Sequence, residues 1–269
     1  MSENIDWESV EAKPPPKKLY RYSPANKWSE ATILNRELYL ASPNDFNDPF
    51  DCQISCHFSG NPDQAQNVTR EILLGSKKMR IKRPEERLKT FSTAIKAAKE
   101  GALFRADKLE RLCRKRMSDD GITCFSEDPL SILMWAYYAD RHTGVCLEFD
   151  TDVVSWIGAA RQVQYTENYP DLSFLRPDWD RTFSKLILTK AKAWEHEKEW
   201  RFYDADPPYN RRRAFPPIAL TGVIFGARMT PDRKVELARK IIAMPFAPTL
   251  SELIISKDEF KLVQWPYLA

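Results

Sequence analysis

The sequence predicts an α+β fold, with mixed, mainly antiparallel strands in one or two sheets and a helical insertion around residues 63–117. Three observations lead there. Segments of strand and helix character mix without a regular strand–helix–strand alternation. No Gly-x-Gly-x-x-Gly or phosphate-loop pattern occurs, and eight glycines in 269 residues leave little for a loop of that kind. Apolar residues make up 43% and charged residues 29% of the chain, the balance of a folded protein with a sizeable core.

Residues 1–18 start acidic and end in Lys13-Pro-Pro-Pro-Lys-Lys18, which reads as a flexible, partly extended arm. Residues 19–269 read as a single α+β domain. Leu19-Tyr-Arg-Tyr22 alternates like a strand, a short helix is expected near 28–36, and Glu37–Ser42 is a second strand. The turn-rich loop Pro43–Asp51 follows. Helices are expected at 63–75 and 84–117, where Leu88, Phe91, Ile95, Ala98 and Ala102 recur at helical steps. Gly121–Ser126 is the next strand. Asp128 and Pro129 signal a helix start, with the helix ending near Gly144. Further strands are expected at 145–149, 161–165, 199–204, 218–225 and 252–256, and helices at 180–192 and 231–242.

The net charge is +3, so binding to nucleic acid has to rest on local charge. Residues 77–116 supply it, with fifteen Lys or Arg against five Asp or Glu. That stretch is either a solvated helix face or a contact for nucleic acid. The cysteines, at 52, 56, 113, 124 and 146, are odd in number and read as reduced thiols of a cytoplasmic protein. The start, Met1-Ser-Glu-Asn-Ile-Asp-Trp, lacks the form of a secretory signal, and no stretch approaches the length of a membrane span.

Two segments concentrate rings and charges. In Met134–Gly144, Trp135 and Tyr138 share a helix face and His142 lies just past the helix end. This is either a core helix with a capping His or a pocket wall with one titratable group. In Trp194–Tyr203, an extended chain puts Glu197, Glu199, Arg201 and Tyr203 on one face and Trp200 and Phe202 on the other. The charged face is either a solvated salt-bridged edge or the wall of a site. The loop residues Asn47, Asp48 and Asp51 read as a structural turn in which side chains bond backbone. No metal is predicted, since neither a calcium-loop nor a zinc spacing occurs.

Taken together, these segments resemble a bacterial family catalogued as domain of unknown function 2971. The shared elements run from Leu19-Tyr-Arg-Tyr22, through Leu40-Ala-Ser-Pro43, Asn47-Asp-Pro-Phe-Asp51 and Cys124-Phe-Ser126, to His142-x-Gly144-Val-Cys-Leu-Glu-Phe149 and Trp194-x-x-Glu197-x-Glu199-Trp-Arg201. They cover roughly residues 19 to 226. A more distant likeness is to ADP-ribosyltransferases, on Tyr20-Arg21, Ala41-Ser42 and Glu197-x-Glu199, occurring in that order. The usual Ser-Thr-Ser is absent. This likeness implies NAD as substrate and an acceptor that is protein or nucleic acid. It also implies that Glu199 holds the ribose, Glu197 orients or deprotonates the acceptor, and His142 bonds an oxygen of the substrate. Tyr20, Arg21, Ser42, Trp135, Tyr138 and Arg201 would bind the substrate, with Arg21 on the pyrophosphate. Two alternatives stand beside it: a non-catalytic nucleotide- or peptide-binding module, as in defence or toxin–antitoxin systems, and a metal-dependent nuclease using Asp48, Asp51, Glu197 and Glu199.

Overall fold

The computed structural model describes residues 5–53, 69–70, 73–74, 77–99, 111, 114–115, 117–169 and 184–268. The fold is α+β. Its centre is an eight-stranded sheet in the order β12-β11-β10-β4-β1-β3-β8-β5. These strands are β1 (Lys18–Ser23), β3 (Gly121–Ser126), β4 (Val145–Asp150), β5 (Arg161–Gln162), β8 (Glu199–Asp204), β10 (Leu220–Phe225), β11 (Thr249–Ile255) and β12 (Leu262–Pro266). Neighbours run antiparallel except β10 and β11, which are parallel. Two short sheets flank it, pairing β2 (Glu37–Tyr39) with β9 (Arg212–Ala214) and β6 (Gln164–Thr166) with β7 (Thr189–Ala191).

The two-residue period of the strands explains the layers. Along β1, β4 and β10, residues such as Leu19, Leu147, Phe149, Val223 and Phe225 enter one core. Helices α2 (Lys27–Asn35) and α6 (Pro231–Ile242) close it with Ile33, Leu237 and Ile241. The alternate residues, Tyr22, Cys146 and Ile224, meet Met134 and Trp135 of α5 (Ile132–Tyr138) on the opposite face. Both helices on the first face have side-chain caps. Asn26 and Ser29 form a reciprocal capping box at α2, and Thr230 precedes Pro231 at α6.

Several expectations are corrected. The arm at 1–18 carries a helix, α1 (Trp7–Ala12), capped by Asp6. The arm also docks on the body: Lys13 lies over the Trp200 ring and Thr151 Oγ1 donates to the Pro16 carbonyl. The helix after Asp128 is capped three residues later, by Ser131, while Asp128 closes a local turn by accepting from Leu130 N–H at 2.8 Å. Among the described residues, only 184–187 of the helix expected at 180–192 is α-helical. Thr189–Ala191 forms β7 instead, because it pairs with β6. In the basic stretch, α3 (Lys77–Ile81) and α4 (Pro84–Lys99) are helical, but Leu88 is 73% exposed and takes no part in a core face. Most of 63–75 and 100–116, with Ala102, lies outside the described residues.

Two features of the sheet shape the site. β1 and β3 share a single paired position, Tyr20 with Ser126, and beyond it the strands separate. Ala41 takes the place beside β3, exchanging hydrogen bonds with Ile122 at 2.7 and 2.8 Å. The second feature is the turn between α5 and β4. Asp140, Arg141 and His142 have φ of 45°, 55° and 72°, three left-handed residues in succession. The turn fits only because Gly144 and Gly226 carry no Cβ. At Gly226 a Cβ would overlap the His142 carbonyl, and at Gly144 the Ser23 carbonyl oxygen. Gly226→Ala is expected to destabilise the fold by about 1–3 kcal/mol through overpacking. A lower urea midpoint with unchanged slope is the expected result; an unmoved midpoint would mean the turn yields freely.

Candidate active site

On the α5 face, where β1 and β3 part, lies a cavity of about 400 Å³. Its wall contains Tyr20, Tyr138, Lys190, Glu197, Glu199 and Arg201, and the loop at 43–53 adds Phe46, Asn47 and Asp51. β8 supplies the base. Its alternation sends Trp200 and Phe202 into the core and Glu199 and Arg201 toward the cavity. A 3-10 turn at Lys192–Glu197 precedes it, and Lys198 adopts a left-handed φ of 46°. Glu197 is thereby brought to the same side as Glu199, and Ser126 Oγ fixes it by donating to its carbonyl at 2.7 Å. The charged residues are thus buried, at 2%, 4% and 1% exposure for Glu197, Glu199 and Arg201, and do not form a solvated edge.

Arg201 organises the cluster. Its Nε donates to Glu199 Oε1 at 2.7 Å and Nη2 to Glu199 Oε2 at 2.9 Å. From the far side Asp51 accepts from Nη1 at 2.8 Å and Nη2 at 2.6 Å, and the Ile187 carbonyl accepts from Nη1 at 2.7 Å. The five N–H groups of a guanidinium are all engaged by protein, and the Phe46 ring lies 5.2 Å away. Arg201 therefore serves as a clasp; the expectation that it binds substrate is corrected, because no donor is left over.

Lys190, which the sequence reading missed, stands between the acids. Its Nζ donates to Glu197 Oε2, reaches Glu199 Oε2 at 3.0 Å, and lies 3.7 Å from Asp51 Oδ2. A lone lysine in the apolar run Leu186-Ile-Leu-Thr-Lys-Ala191 was the available signal. On the other side, Tyr138 Oη donates to Glu197 Oε1 at 2.6 Å. Tyr165, also unforeseen, accepts from Glu199 N–H at 2.7 Å.

Three carboxyls thus face two cations. Burial and the charge of Glu199 push the Glu197 carboxyl up, against the pull of Lys190 and Tyr138. Burial alone would raise Glu199 too, but Arg201 and Lys190 outweigh it and hold Glu199 well below the usual carboxylate range. Lys190 is itself held charged: burial works against it, and Glu199, Glu197 and Asp51 overcome that. Of the two glutamates, Glu197 is the one pushed toward its protonated form.

The other expected site residues divide. Tyr20 lines the cavity, and burial followed by Glu148 pushes its phenol up to about 12. Arg21 borders the cavity at the gap between β1 and β3, where Nη1 donates to Thr123 Oγ1 at 2.7 Å and the Cys124 carbonyl at 3.0 Å. Burial lowers its pKa, and no carboxylate among the described residues pairs with it. Asn47 lines the cavity, while Asp48 lies beyond its wall and caps a turn by accepting from Phe50 N–H at 2.9 Å. Ser42 is also outside: its Oγ donates to the Ser118 carbonyl at 2.9 Å and caps the turn at Pro43–Asp45. Trp135 is fully buried beneath α5, with Nε1 donating to the Pro129 carbonyl at 2.8 Å. His142 does not join the wall either, because the left-handed turn carries it under Trp135. Its ring stacks there at 6.4 Å, and its carbonyl accepts from Arg228 N–H at 2.9 Å.

The two glutamates should part company on substitution. Glu199→Gln leaves the buried Arg201 charge undercompensated and is expected to cost about 3–5 kcal/mol at pH 7. Glu197→Gln removes the excess charge and is expected to cost little. With pH the signs are opposite. Stability from Glu199 is present above the ordinary carboxylate range and is lost only as pH falls toward its lowered pKa. Stability from protonated Glu197 is present at low pH and is lost as pH rises through its raised pKa. Urea midpoints at pH 5 and pH 8 should therefore fall in the wild type and stay nearly level in Glu197→Gln; the same fall in both would contradict the assignment.

No curated protein and no solved structure matches the chain. Among the described residues no helix is long and apolar enough to cross a membrane. One family does match, over residues 134–202, a stretch that begins in α5 and ends in β8. The segment holding Tyr138, Lys190, Glu197, Glu199 and Arg201 is thus similar to the family described as Protein of unknown function (DUF2971).

Proposed function

We propose that the cavity binds NAD and that the protein cleaves its nicotinamide–ribose bond, passing the ADP-ribosyl group to an acceptor. The supporting observation is the pair of carboxyls at one wall, Glu197 pushed up and Glu199 held down. Environments that drive two acids apart separate an acid–base role from a fixed-charge role. When the bond breaks, its electron pair leaves with the nicotinamide nitrogen and positive charge develops on the ribose. Once Glu197 has lost its proton, the cluster carries one negative charge in excess of Lys190 and Arg201, which is available to stabilise it. As an acceptor hydroxyl attacks the ribose carbon, Glu197 takes its proton. Glu199 acts as a positioning residue: its oxygens are already held by Arg201 and Lys190. Arg21, a cation without a carboxylate, suits a phosphate. Cys52, Cys124 and Cys146 are free thiols, in keeping with the cytoplasm as the compartment.

That saturation of Glu199 and Asp51 favours one second reading, a nucleotide-binding module without catalysis. A metal-held nuclease centre is not proposed, because Asp48 stands apart and Arg201 already bonds Asp51 and Glu199.

Incubation with NAD and measurement of free nicotinamide test the reading. The wild type is expected to release nicotinamide at a rate that rises with pH as Glu197 loses its proton. Glu197→Gln is expected to lower the rate about 100-fold or more. If NAD binds and Glu197→Gln changes affinity alone, the binding-module reading replaces it. If the wild type releases nothing with any protein or nucleic-acid acceptor, the transferase reading is withdrawn.

A further inference from the structure

Tyr137 is an aromatic residue of the cavity wall that the chemistry above leaves unused. It is 62% exposed although it lines the cavity, next to Tyr138, whose hydroxyl is committed to Glu197. A large ring kept in water at a cavity mouth forgoes burial. Its position is nevertheless set by its neighbours. Trp194 meets it edge-to-face at 6.3 Å and 73°, a geometry that leaves ring surface uncovered. Trp194 is in turn set by the Lys190 ammonium, 5.3 Å from its ring, and by the His196 ring at 5.9 Å. The ring is thus tied through Trp194 and Lys190 to the cluster that carries Glu197, and both Tyr137 and Glu197 line the same cavity.

We infer that Tyr137 is a stacking platform, braced by Trp194, for the planar base of a nucleotide whose ribose end lies in the cavity. The inference rests on the NAD reading and adds a second subsite to it, one that selects ligands with a base. Stacking suits this position because it needs only a flat ring. An aromatic rim over a charged interior also matches a ligand with a base at one end and phosphate and ribose at the other.

Calorimetric titration of the full chain with ADP-ribose and with ribose 5-phosphate separates the claims. The wild type is expected to bind ADP-ribose more tightly than ribose 5-phosphate. Tyr137→Ala should weaken ADP-ribose about tenfold and leave ribose 5-phosphate unchanged, while Tyr137→Trp retains the wild-type preference. Arg21→Gln should weaken both ligands alike. If Tyr137→Ala binds ADP-ribose as the wild type does, the platform is overturned and the cavity reading stands. If the wild type binds neither ligand, the cavity reading fails and takes the platform with it.

Discussion

The buried fork of Arg201 between Asp51 and Glu199 is the constraint on which the site depends. A guanidinium enclosed on all sides is costly to remove from water, and partners of good geometry must offset that cost. Here the offset comes from two carboxylates gripped from opposite sides and one backbone carbonyl. One carboxylate lies two residues away on the same strand; the other comes from a loop 150 positions earlier. That loop therefore has one place to go. With it come Phe46 over the guanidinium and Asn47 at the cavity wall, so a single ionic clasp fixes both floor and cover.

Given that clasp, the remaining chemistry is a matter of charge count. Lys190 satisfies the free side of Glu199 and leans on Asp51, which completes two cations against two acids. Glu197 is the third acid, shared between a lysine and a tyrosine hydroxyl. It is the group in the cluster whose protonation can change without breaking the clasp. The split between β1 and β3 gives it a space to act into, since an unbroken sheet would leave no hollow on that face.

Much of this was legible in the sequence where one local pattern dictated one outcome. The alternation in 199–204 put Trp200 and Phe202 inward, and the helix expected at 231–242 is α6. Density of charge among rings at 194–203 pointed to the buried acids. What could not be read depended on partners remote in the chain. Lys190 sat in a run with helical character, and only pairing with β6 makes it a strand. His142 carried the right chemistry for a site, yet three left-handed residues turn it under Trp135, and no periodicity announces such a turn. Arg201 looked like a ligand-binding residue because its second carboxylate, Asp51, lay in what read as an ordinary turn.

The strand at the middle of the sheet pairs on both sides with strands that come much later in the sequence. Arg21 of β1 meets Thr123 of β3 across 102 positions, and β4 follows later still. Sheet neighbours that distant close large loops, which slows folding. During synthesis the apolar side of β1 must wait unpaired until the 102 positions between Arg21 and Thr123 have emerged. The cavity, whose base is β8, cannot form until that still later strand has also been made.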